Sequence, residues 1–76
     1  EMKADLEAKQ KDGWTPLHVS SANGLIDVCK LLIEKKADLE AKDKDCYTPL
    51  HLASLHGHIE VCKLLIEKKA DLEAKD

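Results

Sequence analysis

Apolar residues along this chain gather in two blocks of the same shape, separated by a stretch in which charge alternates with small side chains. In the first block Leu17, Val19 and Ala22, with the small Ser20 and Ser21, mark the packing side of a short helix. A denser set follows: Ile26, Val28, Cys29, Leu31, Leu32 and Ile33. They cover most of a helix circumference, and such a helix is packed on more than one side. The pattern predicts helices over 15–23 and 26–35, and again over 48–56 and 59–68. Between the blocks, 37–45 alternates charge with Leu39 and Ala41, which are expected to face inward from a projecting turn or short hairpin.

Local signals mark where each helix starts and stops. Thr15-Pro16-Leu17-His18 and Thr48-Pro49-Leu50-His51 both read as helix starts. The Thr hydroxyl accepts from a backbone N–H two or three residues on, which otherwise has no partner. Proline follows at no loss, because its missing N–H would be unpaired there and its φ is already helical. Gly24 and Gly57 close the first helix of each pair with a left-handed cap. Lys11-Asp12-Gly13-Trp14 is turn material, since Asp-Gly suits a φ > 0 position. Asp27 near the start of a second helix, and Lys35 and Lys36 near its end, complement the helix dipole.

The two blocks are copies. Residues 11–43 and 44–76 align without a gap, and 25 of the 33 positions are identical. The differences are Gly13/Cys46, Trp14/Tyr47, Val19/Leu52, Ser20/Ala53, Ala22/Leu55, Asn23/His56, Leu25/His58 and Asp27/Glu60, all in the first half of the unit. Residues 28–43 and 61–76 are identical throughout, and 3–9 repeat 36–42. The chain therefore reads as the tail of a preceding unit (1–10) and two units (11–43 and 44–76). A period of this length signals a solenoid, in which each unit buries its apolar face only against its neighbours.

Composition narrows the function. Charged residues are 36% of the 76, yet a 43% hydrophobic share set in periodic blocks argues for folding rather than disorder. A formal net charge of −3 offers no basic patch for nucleic acid or an anionic membrane. No apolar run approaches the ~20 residues of a membrane span, and no signal peptide is expected. Three cysteines, an odd number, suit a reducing compartment better than a disulfide scaffold. The expected setting is intracellular, cytoplasmic or nuclear.

Turn plus two helices at a 33-residue period, with Thr-Pro-Leu-His opening the first, resembles the ankyrin repeat. The resemblance runs from Gly13 through Thr15-Pro16-Leu17-His18 and Gly24 to Leu31-Leu32-Ile33 and Ala37-Asp38, and again from Thr48 to Asp71. It implies an all-α solenoid of stacked antiparallel helix pairs joined by β-turn or hairpin-like segments. Three features depart from the family pattern. Lys3, Lys36 and Lys69 stand where the family usually has a glycine with φ > 0, at a cost of roughly 1 kcal/mol each if that geometry is kept. Cys46 replaces the turn glycine found at Gly13, with a similar penalty. No polar capping repeat closes either end, and two full units fall short of the three or so such stacks need.

Candidate chemistry is sparse. The resemblance implies that His18 and His51 make structural hydrogen bonds linking units, alongside the helix-start residues Thr15, Pro16, Thr48 and Pro49. Cys29 and Cys62 sit at equivalent helix positions about 10 Å apart, beyond the ~7 Å Cα limit of a disulfide. They read as small buried hydrophobes. Cys46 is expected to be an exposed thiol on a turn, without a thiolate-activating neighbour. His56 and His58 flank Gly57 and point apart, which disfavours zinc. Carboxylates lie in solvated charge runs, and there is no phosphate loop and no nucleophile elbow. Neither enzyme activity, a metal nor a cofactor is expected.

Positions that differ between the copies point to the working surface. Trp14 and Tyr47, the only aromatics, sit in the turn just before the first helix, and exposed Trp and Tyr anchor interfaces. In the resembled family, turns and first helices line a concave partner-binding surface. The expected partner-binding set is Trp14, Ala22, Asn23, Cys46, Tyr47, Leu55, His56 and His58. The expected function is a protein–protein interaction scaffold with a protein partner. The alternative is a structural unit, engineered or excised, that self-associates through its uncapped ends.

Overall fold

The computed structural model describes residue 10 and residues 12–73, with side chains described through residue 69. Among these residues the chain forms four helices and no strand: α1 (Pro16–Ala22), α2 (Ile26–Glu34), α3 (Pro49–Leu55) and α4 (Ile59–Glu73). The predicted tail over 1–9 and the strain expected at Lys3 lie outside the described residues.

Both first helices start as the sequence requires. Thr15 Oγ1 accepts from His18 N–H at 3.3 Å, and His18 Nδ1 accepts from Thr15 N–H at 3.0 Å. Thr48 and His51 repeat the arrangement at 3.2 and 3.0 Å. Each Thr–His pair thus satisfies two backbone donors reciprocally, with an imidazole in place of the usual Glu. Gly24 (φ 69) and Gly57 (φ 72) turn the chain out of α1 and α3. The N–H of Leu25 reaches back to Ser20 O and that of His58 to Ala53 O, both at 2.9 Å.

The helix pairs share one apolar seam. Leu17 and Cys29 of the first unit, Ala37 and Leu39 of the connecting loop, and Ala53, Val61, Leu64 and Leu65 of the second form a single buried cluster. Small side chains let α1 lie close on α2: Cys29 Sγ–H donates to Ser20 Oγ at 3.3 Å. Leu39 faces inward as expected, and Ala41 is half-buried.

The second helices do not end alike, although the sequence from 61 onward is that of 28 onward. α2 stops at Glu34, and Lys36 takes φ 78 with Ala37 N–H returning to Leu32 O at 3.0 Å. α4, expected to end near 68, continues to Glu73, so Lys69 stays helical. Packing beyond the helix end makes the difference. Ala37 and Leu39 are buried against Val61, Leu64 and Leu65 of the next unit, and that burial offsets the left-handed strain at Lys36. Among the described residues no third helix pair lies beyond α4 to do the same, and the unstrained helix continues.

Candidate functional site

The turns before α1 and α3 are built twice on one plan. Gly13 N–H donates to Gln10 O and Gln10 N–H to Trp14 O; Cys46 N–H donates to Asp43 O and Asp43 N–H to Tyr47 O. Gly13 carries φ 81 and Cys46 φ 68, so the left-handed geometry expected at Cys46 is kept. Successive turn tips are tied by Lys44 N–H to Asp12 O at 3.1 Å, with an exposed Lys44–Asp12 ion pair at 3.4 Å alongside.

Asp43 organises the tip between the units. Its Oδ1 accepts from the N–H groups of Asp45 and Tyr47, each at 2.8 Å, and its Oδ2 accepts from Trp14 Nε1–H at 3.0 Å. Burial alone would raise the carboxyl, but the N–H groups of Tyr47, Asp45 and the Trp14 indole outweigh it. They hold its pKa below the ordinary 3.8. By charge pattern alone Asp43 passes for one of a solvated run, and its role goes unseen. An aspartate that opens a turn and bonds its own backbone further on is the signal that would reveal it.

His18 joins the units from below. Because Nδ1 accepts Thr15 N–H, the ring proton sits on Nε2, which donates to Tyr47 O at 2.8 Å. His51 caps Thr48 in the same way, but among the described residues no acceptor meets its Nε2. Trp14 lies over the His18 ring at 6.3 Å between centroids, and Tyr47 over His51 at 5.7 Å. Each aromatic thus rests on the helix-start histidine of its own unit.

The expected partner-binding residues separate by exposure. Asn23, Cys46, Tyr47, Leu55 and His56 are exposed, while Trp14 and His58 are half-buried. Ala22 is buried in the seam and leaves the exposed set: the His58 ring covers it, with Nε2–H donating to Ala22 O at 3.0 Å. Variation between the copies therefore marks an inter-unit contact here rather than an outward surface. The same ring passes so close to Gly24 that a Cβ there would lie 2.6 Å from His58 Nδ1, so Gly24 is required by both φ and space. The Asn23 side-chain amide is turned onto its own helix, donating to Val19 O at 2.8 Å.

All three cysteines are free: Cys29 is buried, Cys62 half-buried and Cys46 exposed. The His56 and His58 rings, expected to point apart across Gly57, instead stack at 6.3 Å between centroids, because the left-handed Gly57 (φ 72) folds the chain back between them. Among the described residues no three His, Cys, Asp or Glu side chains gather as a metal site, and no helix is long and apolar enough to cross a membrane.

Short helix pairs repeated at 33 residues, bonded turn to turn and sharing one core, define an α-helical repeat solenoid. The family model for ankyrin repeats, three copies long, matches residues 2–76, and the chain belongs to the ankyrin-repeat family. Ankyrin repeats are in general protein–protein interaction modules. No curated protein matches the chain.

Proposed function

We propose that the chain recognises a protein partner along the row formed by its turn tips and the ends of its first helices, through Trp14, Asn23, Tyr47 and His56, with Cys46 beside them. One observation carries this reading. Asn23 stays exposed and Trp14 half-exposed even though the second unit is stacked on the first, so this row remains open however many units are added. Trp and Tyr are favoured anchors in such contacts. The Asp43 bonds to Trp14 and to the Tyr47 backbone fix the tips in place, so little freedom is lost on docking. Three free cysteines, one of them exposed, support a reducing compartment, cytoplasm or nucleus.

The test is affinity capture from cell extract with three forms of the chain. A partner held by wild type should be lost with the Tyr47→Ala, His56→Ala double variant, whose circular dichroism is unchanged because both side chains are exposed. It should be kept with Leu31→Glu, which alters another face. The reverse pattern would move the binding surface off the turn tips.

A further inference from the structure

The sequence holds a single asparagine, and a glycine follows it: Asn23-Gly24. The second unit has His56-Gly57 at the same place, so the pair occurs once. Asparagine is chemically labile, and most of all before glycine, which has no side chain to hinder attack by its own nitrogen. The pair also closes α1 against the second unit, and its geometry decides when it can react.

Reaction needs Gly24 N to reach Asn23 Cγ, and the stacked chain keeps the two apart. At ψ 3 the Gly24 nitrogen eclipses the backbone nitrogen of Asn23 rather than its Cβ. The Asn23 amide is turned away, with Nδ2–H donating to Val19 O at 2.8 Å, and Gly24 N–H donates to Ser21 O at 3.3 Å. Rotating the 23–24 peptide to bring the groups together would move Gly24, and the His58 ring stands over it. A Cβ at Gly24 would lie 2.6 Å from His58 Nδ1. That ring is itself held, its Nε2–H donating to Ala22 O at 3.0 Å. The first restraints belong to α1; the last comes from the second unit.

We propose that Asn23 is a latent deamidation site, held closed by His58 of the second unit and opened when the units part. Gly24 N gives up its proton and bonds to Asn23 Cγ; the Cγ–Nδ2 bond breaks, and ammonia leaves with a proton gained. The cyclic imide then takes up one water. Water that breaks the bond from Gly24 N to Cγ leaves aspartate at position 23 on an unaltered main chain. Water that breaks the bond to the Asn23 carbonyl carbon leaves isoaspartate, whose main chain runs through Cβ and Cγ and is longer by one carbon. No oxidant or reductant takes part.

The two products differ in what they allow afterwards. Aspartate keeps the turn and adds a negative charge at an exposed position. Isoaspartate does not keep it. Leu25 N–H returns to Ser20 O at 2.9 Å across this turn, a closure that fits one residue of normal length at 23. The extra carbon breaks that bond or drives Gly24 into the space of the His58 ring. An isoaspartyl chain therefore loses the contact that held the site closed, and the opening is not undone. Asn23 lies in the turn-tip row, but the chemistry needs no partner and does not rest on that reading.

Intact-mass spectrometry at neutral pH tests the proposal, since exchange of ammonia for water raises the mass by one unit. Peptide mapping separates a change at Asn23 from one at Gln10. In native buffer wild type should gain the mass at least about tenfold more slowly than in denaturing guanidinium chloride. His58→Ala, with its helicity retained, should gain it about fivefold faster than wild type in native buffer. The isoaspartyl product, separated by chromatography, should unfold at lower urea than Asn23→Asp, which carries the same charge on a normal main chain. A native rate equal to the denatured rate overturns the proposal, as does a His58→Ala rate equal to that of wild type. So does an isoaspartyl chain as stable as Asn23→Asp.

Discussion

At the scale of single residues, the inter-unit contacts rest on groups that each serve two neighbours. His18 uses one ring nitrogen to cap its own helix and the other to hold the next unit. Asp43 gathers two backbone amides of its own turn and an indole from the turn before. Replacing Asp43 by Ala leaves all three donors without their carboxylate and is expected to cost about 2 kcal/mol in urea unfolding at pH 7. The direction of the pKa displacement sets the pH dependence. A carboxyl held below its unfolded pKa of about 3.9 contributes stability above that pH and loses it as pH falls toward the folded pKa. The gap between wild type and Asp43→Ala should therefore shrink as pH is lowered from about 5 to about 2. A gap that is constant with pH would mean that the carboxylate charge is not what holds the tip.

At the scale of the element, local sequence determined some features and had no means of determining others. Helix starts were legible, because Thr15 and Thr48 cap with groups three residues away and Gly24 and Gly57 turn the chain within the same few residues. The linking role of His18 was also legible, through the family resemblance. The helical period put Ala22 on the packing side of α1, yet its difference between the copies also put it in the partner-binding set; that a His58 ring 36 residues later covers it was not legible. Nor was the difference between α2 and α4, because identical sequence carries no local information that distinguishes them. The same substitution at equivalent sites should separate the two contexts. Lys36→Gly relieves a left-handed lysine and should stabilise the chain by about 0.5–1 kcal/mol, part of the relief being lost to the freer unfolded chain. Lys69→Gly interrupts a helix and should destabilise it by about 0.7 kcal/mol. Equal effects of one sign in urea melts would show that both helices end the same way.

At the scale of the whole molecule, stability belongs to the seam rather than to either unit. The buried cluster draws Leu17 and Cys29 from one side and Ala53, Val61, Leu64 and Leu65 from the other, so neither helix pair retains a core alone. Exposure makes this measurable with another matched pair. Leu64→Ala removes a side chain packed in the seam and should cost about 2–3 kcal/mol. Leu31→Ala removes its identical counterpart from an exposed position and should cost less than about 1 kcal/mol. Trp14 reports on the first turn and its bond to Asp43, while far-ultraviolet circular dichroism reports on all four helices. With the core shared, the two signals should trace one transition in wild type and in Leu64→Ala alike, because loosening the second unit also exposes Leu17 and Cys29 of the first. Separate transitions would mean that each unit holds its own fold and that the shared cluster is not what couples them.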